Sequence, residues 1–270
     1  MTPLLFHKYH GLGNDYLVCH RSVADRLSQE QIRLLCHPHY GIGSDGLLID
    51  SGNGLRIYAR YLFDSKRVAH QPFLVHTAGG DVRCQVAEDA HQITVEMGRA
   101  NFSPAALPAL IDLPEALNYP LPLKEETLSV SLVSMGNPHC VVPVEKLDLA
   151  QVHRLGPQIE RHPLFPKRTN VQLVEVLDRQ TLRIGIWERG AGFTLASGSS
   201  SCAAASVMRK LGRVGDRVSV RMPGGELQIA FSGDFQVSMR GPVHKIATLT
   251  LDEDCFAGGA GLFTGSTPAA

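Results

Sequence analysis

The feature that most constrains this chain is an internal repeat. Ser51-Gly52-Asn53-Gly54 opens one helix-like segment and recurs as Ser197-Gly198-Ser199-Ser200, 146 positions further on, opening another. Downstream, His76-Thr77-Ala78-Gly79-Gly80-Asp81-Val82 recurs as Arg221-Met222-Pro223-Gly224-Gly225-Glu226-Leu227, with Gly79 and Gly224 separated by 145 positions. Short Gly-rich turns do recur by chance. Two matches at nearly one offset instead predict a duplicated unit of about 120 to 145 residues. At 270 residues the chain has room for two such units, since a domain takes about 150 residues.

Most of the remaining sequence alternates apolar and polar with period two. Ile93/Val95/Met97, Leu128/Val130/Leu132, Leu182/Ile184/Ile186, Val218/Val220/Met222, Leu227/Ile229/Phe231 and Phe235/Val237/Met239 each line one side of a segment. This pattern predicts antiparallel strands with one buried face. Helices are expected over Ser28 to His37, which opens on a Ser28/Gln31 capping box, over Gly52 to Phe63, over Ser199 to Leu211 with Gly212 as its stop, and over the less regular Leu147 to Arg161. Pro104, Pro108, Pro114, Pro120 and Pro122 mark Ser103 to Lys124 as an extended crossover. The small, Gly-rich stretch 257–270 reads as a disordered tail.

Composition limits the partners. Lys plus Arg and Asp plus Glu are 26 each, so the basic footprint of a nucleic-acid binder is missing and a small molecule is the expected partner. No apolar run approaches the ~20 residues of a membrane span, and the start, MTPLLFHKYHGLGND, carries no signal-peptide pattern. A cytoplasmic protein is the expectation. The six cysteines are scattered without a CxxC, which predicts free thiols. The pairs His7/His10 and His37/His39 lack a third ligand at metal spacing, so no metal is expected.

Each repeat places a serine just before a helix start, where unbonded backbone N–H groups and the positive end of the helix dipole meet. Two such starts facing one cleft would hold a carboxylate. Plain N-capping by Ser51 and Ser197 explains the same pattern, and the residues alone leave both readings open.

Seven motifs bring a family into view. They are His10-Gly11-Leu12-Gly13-Asn14-Asp15-Tyr16, Gly41-Ile42-Gly43-Ser44-Asp45, Ser51-Gly52-Asn53-Gly54-Leu55-Arg56, Thr77-Ala78-Gly79-Gly80, Gly136-Asn137-Pro138-His139, Arg168-Thr169-Asn170-Val171 and Glu188-Arg189-Gly190-Ala191-Gly192. In this order, from Phe6 to about Val243, the chain resembles the diaminopimelate epimerases. The resemblance implies an α/β fold of two pseudo-symmetric domains, each a β-barrel-like antiparallel sheet around a central helix. The halves would be residues 1–115, joined by a strand near 243–252, and residues 116–242. It also implies epimerisation of LL-diaminopimelate to the meso form on the lysine and peptidoglycan route, with neither pyridoxal phosphate nor metal, and it leaves room for a homodimer. In the family two cysteines flank the substrate α-carbon, one removing a proton while the other donates one. Their positions here are Ser51 and Ser197. Asn14, Asn53, Asn137, Asn170, Glu188 and Arg189 would hold the amino and carboxyl groups of the amino acid, with backbone N–H groups from Gly52, Gly198 and Ser199.

The sequence departs from that family in four places. Both reactive cysteines are serine, whose hydroxyl is far less acidic than a thiol and needs a neighbouring base. No His or Lys adjoins either serine in sequence, although His10, His76 and His139 can approach in space. Some two dozen residues that the family carries before the reactive turn are missing, because Asp50 runs straight into Ser51; one strand of the first barrel goes with them. Gly46 stands where glutamine is common and Phe193 where glutamate is usual. Three readings follow: an epimerase with serines at the base positions, a related racemase or isomerase with altered chemistry, and a non-catalytic amino-acid-binding paralogue.

Overall fold

The computed structural model describes residues 3–49, 54–77 and 79–256. The turn carrying Ser51, Gly52 and Asn53, and the stretch 257–270, lie outside the described residues. The chain opens with β1 (Leu5–Gly11), β2 (Asn14–Cys19), α1 (Arg21–Ala24), α2 (Gln29–Cys36), β3 (Leu47–Ile49) and α3 (Leu55–Asp64). Strands β4 (Phe73–Thr77), β5 (Gly80–Val86) and β6 (Gln92–Arg99) follow. Next come β7 (Tyr119–Pro122), β8 (Thr127–Ser134), β9 (Pro138–Val144), α4 (Leu149–Glu160), β10 (Asn170–Asp178), β11 (Thr181–Glu188) and β12 (Gly192–Thr194). Finally α5 (Gly198–Lys210) leads into β13 (Arg217–Met222), β14 (Gly225–Ser232), β15 (Gln236–Pro242) and β16 (His244–Thr250).

The repeat has a structural counterpart. The order helix, hairpin, strand in α3-β4-β5-β6 returns in α5-β13-β14-β15, and both Gly-Gly motifs form hairpin turns, with Gly80 at φ 113° and Gly225 at φ 137°. The last strands of the two units, β6 and β15, pair antiparallel with Val95 opposite Met239. That pair sits inside the larger sheet, ordered β4-β5-β6-β15-β14-β13-β11-β10-β9-β8-β7; a second sheet is ordered β16-β1-β2-β3.

Helix α5 is the centre of the packing. Every residue from Ser200 to Met208 is buried, and the run Ala203-Ala204-Ala205 lets strands approach it closely. Ile57, Tyr58, Ala59 and Tyr61 of α3 bury into the same apolar cluster. The expected capping box at α2 is present, with Ser28 and Gln31 bonded reciprocally at 2.8 and 3.2 Å.

Three expectations need correction. The strands are not all antiparallel: β2/β3, β9/β10 and β11/β13 run parallel. Phe235 is not in a strand but in a left-handed turn, φ 58°, ahead of β15. The proline-rich crossover contains β7, in which Pro120 and Pro122 pair with Ser129 and Thr127 of β8; a strand at the end of a sheet tolerates proline because no further neighbour needs its N–H. At the other end, β3 and β4 are both terminal in their sheets, flanking the stretch where the sequence lacks a strand.

Candidate active site

The described half of the site is built on the start of α5. Ser197 is its N-cap, in extended conformation at φ −152° and ψ 128°, and its hydroxyl faces the Ser200 N–H at 3.5 Å. Helix geometry leaves the N–H groups of Gly198 and Ser199 without intrahelical acceptors. Gly198 lets Met239 pack on the turn: a Cβ would meet Met239 Sδ at 2.8 Å and push that side chain aside. Ser201 donates its hydroxyl to the Ser197 carbonyl at 2.8 Å and closes the turn from inside.

The motif loops are gathered onto this turn. Asn14 donates its Nδ2 to the carbonyl of Ala196, next to Ser197, at 2.8 Å. The Gly224 N–H bonds the Leu195 carbonyl at 2.9 Å, and a Cβ on Gly224 would collide with the Leu12 carbonyl. The Gly-Gly turn, the loop of Leu12 and Gly13 and the approach to Ser197 are therefore packed as one unit. Asn170 joins two further loops, donating Nδ2 to the Pro138 carbonyl at 2.9 Å and accepting the Arg189 N–H at 3.0 Å. Both ends of its amide are thus engaged within the protein. Glu188 is half-buried, and its charge helps to raise the pKa of Tyr16, after burial and Asp45; Glu188 of one unit thus lies near the Asn14 strand of the other. Arg189 keeps its guanidinium exposed, donating to the Lys167 carbonyl at 3.3 Å.

Histidines do not supply a base to Ser197. His139 is fully buried, its ring nitrogens face Asn137 Oδ1 at 2.9 Å and Gln172 at 3.1 Å, and burial pushes its pKa down to about 3. His10 stacks on His244 with ring centroids 5.2 Å apart. His76 is exposed and bonds Asp81. At the positions of departure, a Cβ on Gly46 would stand 3.2 Å from the Tyr16 ring, and Phe193 packs on His153 at 4.8 Å between centroids.

Three positioning residues escaped the sequence reading. Buried Glu160 accepts the Trp187 indole N–H and the Gly190 N–H, each at 2.9 Å, and so anchors the loop that carries Glu188 and Arg189. Burial alone would raise its pKa, but those two bonds, with Arg161 and Arg168, bring it below the ordinary carboxylate value. Gln172 and Ser200 lie under the helix turn. None of the three has a sequence signal, because the hydrogen bonds from Gln172 to Ser200 and from Trp187 and Gly190 to Glu160 join residues 27 or more positions apart.

Comparisons with known proteins bear on the family and the fold. A family model described as diaminopimelate epimerase matches residues 131–246. Diaminopimelate epimerase 2 of Nostoc sp. strain PCC 7120 is 41% identical over 276 residues, covering 93% of this chain and 97% of the relative. Because 93% of 270 is about 251, roughly 25 of those aligned positions face no residue of this chain. Diaminopimelate epimerase of Synechocystis sp. is 34% identical, covering 90% and 97%. Among solved structures, a probable proline racemase from Agrobacterium radiobacter K84 superposes with TM-score 0.62 at 16% identity, covering 94% of each chain. A hydroxyproline epimerase from Agrobacterium vitis gives 0.62 at 14%, covering 92% of this chain and 90% of that one. These structures share the fold, and the closer sequence relatives fix the kinship: the chain belongs to the diaminopimelate epimerase family.

Proposed function

We infer that this chain is an isomerase that epimerises LL-diaminopimelate to the meso form, on the lysine and peptidoglycan route, by proton transfer at the α-carbon. The observation that carries the reading is the convergence on α5: Asn14 bonds the carbonyl next to Ser197, Asn137 is linked to Ser200 through His139 and Gln172, and Asn170 ties the Arg189 N–H to Pro138, beside His139 of that line. The N–H groups of Gly198 and Ser199 hold the α-carboxylate, with Gly52 and Asn53 as their counterparts from the other unit. Ser51 and Ser197 occupy the proton-transfer positions. One, as alkoxide, takes the α-proton from one face; the other gives its hydroxyl proton to the opposite face, and the reverse reaction exchanges their roles. Negative charge developing toward the carboxylate is met by the helix-start N–H donors. A serine hydroxyl is a poor general base near neutral pH, so turnover is slow and rises with pH.

Incubation of LL- and meso-diaminopimelate in D2O tests this reading. It predicts slow incorporation of deuterium at the α-carbon, faster at pH 9 than at pH 7. The second reading, a non-catalytic amino-acid-binding paralogue, is favoured by one observation: no described residue supplies a base to Ser197. It predicts binding with no exchange at any pH. A relative with altered chemistry would exchange the α-proton of another amino acid but leave diaminopimelate untouched. A homodimer and a cytoplasmic location fit the reading; among the described residues no helix is long and apolar enough to cross a membrane.

A further inference from the structure

A line of buried polar side chains runs beneath the first turn of α5. Gln172 Nε2 lies 3.0 Å from Ser200 Oγ and 3.1 Å from His139 Nδ1, and His139 Nε2 lies 2.9 Å from Asn137 Oδ1. Ser200, Gln172 and His139 are all completely removed from solvent. In such a setting the direction of each hydrogen bond matters, because a buried polar atom left unmatched is costly.

The directions can be worked out link by link. Burial keeps His139 neutral, outweighing the Gln172 contact, which acts in the opposite sense, and Arg189 adds to the effect of burial, so the ring carries one proton. The two hydrogens of Gln172 Nε2 go to Ser200 Oγ and to His139 Nδ1, which is therefore bare. The ring proton is on Nε2 and is donated to Asn137 Oδ1. Turning every bond round would leave both hydrogens of Gln172 Nε2 unmatched; in the observed sense only its Oε1 lacks a partner among the described residues.

Asn137 thus gives its carbonyl to His139, and its NH2 makes no hydrogen bond to another described residue. Asn14 is held the opposite way, since its Nδ2 is given to Ala196 and its carbonyl oxygen remains. We propose that His139, Gln172 and Ser200 are positioning residues that fix Asn137 as a hydrogen-bond donor to a substrate carboxylate, while Asn14 is set as an acceptor for the ammonium group. This rests on the amino-acid substrate inferred above, but its first test does not.

Nitrogen-15 NMR of the histidine-labelled full chain reads the tautomer directly. The proposal predicts that His139 carries its proton on Nε2, with Nδ1 bare, from pH 8 down to pH 5; a proton on Nδ1 overturns it, whatever the protein turns over. Binding of diaminopimelate, followed by calorimetry, then tests the polarity. Asn137→Asp should weaken it by on the order of 100-fold, as a carboxylate is placed against a carboxylate; unchanged or tighter binding contradicts the assignment. Gln172→Leu should raise KM by roughly tenfold, the worth of one misdirected hydrogen bond, with kcat changed much less. An equal loss in KM and kcat, or a loss of folding with the tautomer unaltered, would show a structural role only. If the tautomer is as predicted but the wild-type chain binds no amino acid, the assignment of Asn137 and Asn14 to a substrate carboxylate and ammonium is overturned together with the functional reading, whereas a proton on Nδ1 with diaminopimelate bound overturns the positioning alone.

Discussion

Arg56 and Cys202, residues 146 positions apart, lie within electrostatic reach of one another in the interior, the guanidinium charge favouring ionisation of the thiol and a thiolate favouring the guanidinium. Their separation equals that of Ser51 and Ser197, so the pair occupies matching positions of the sequence repeat, one on α3 and one on α5. The environment of Arg56 is built for it. A Cβ on Gly241 would run into its guanidinium at Nη1, while one on Gly11 would just touch it, and its buried Nη1 has no hydrogen-bond partner among the described residues. Burial lowers its pKa to about 10 and drives the Cys202 thiol up to about 12. Arg56 stays a cation and Cys202 stays a neutral thiol at physiological pH.

A buried, poorly matched cation is weak support for a fold. Arg56→Met should therefore leave the urea midpoint unchanged or raise stability by about 1 to 2 kcal/mol. Gly241→Ala, pressed on Arg56 and Leu227, should cost about 1 to 3 kcal/mol in the same titration.

His139 ties stability to pH. Its pKa falls from 6.5 to about 3 on folding, so below pH 6.5 the unfolded chain binds a proton that the folded chain refuses. Stability from this group is complete above 6.5 and is lost as pH falls, at about 1.4 kcal/mol per unit. His7 and His244, also lowered by burial, act in the same sense. Urea titrations at pH 7.5 and pH 5 should differ by roughly 2 kcal/mol or more, and His139→Asn should flatten the slope.

The single tryptophan reports on the Glu160 anchor. Gly156 lies under Trp187, where a Cβ would come within 2.5 Å of Cγ. Gly156→Ala should shift the fluorescence emission and destabilise by about 1 to 3 kcal/mol. Glu160→Gln should give a similar emission change, because the indole loses its charged acceptor, and should cost about 1 to 3 kcal/mol.

Any activity should survive thiol reagents. Cys19, Cys84, Cys140 and Cys202 are buried and only Cys36 and Cys255 are partly exposed, and neither of these lies at the start of α5. Rapid inactivation by iodoacetamide that substrate prevents would show that a cysteine does the chemistry.

What could be read in the sequence was what lies close along the chain. Ser28 with Gln31, the start of α5 at Ser197 and the Gly-Gly hairpins are local patterns with local physical causes. Phe235 continued an alternating pattern, yet it takes a left-handed turn in which its ring packs edge-on to Phe102, 5.1 Å between centroids. The parallel pairing of β9 with β10 could not be inferred from alternation, since it depends on α4 crossing between them. The bonds from Asn137 to Ser200 and from Glu160 to Trp187 were hidden for the same reason: packing alone brings those residues together. Family resemblance named Asn137 and Asn170, but only geometry separates an amide whose NH2 bonds no other described residue from one used at both ends within the protein.

The central claim is that an epimerase framework, shortened before Ser51, holds serines where protons are transferred. Ser51→Cys/Ser197→Cys tests it most directly, with deuterium wash-in at the α-carbon of diaminopimelate as the measurement. If the framework is competent, the double variant should exchange about 10²- to 10⁴-fold faster than the native chain, the usual worth of an effective general base. If the variant folds and binds diaminopimelate yet exchanges no deuterium, the strand missing before Ser51, and not the serines, limits the site, and the chain is a binding protein.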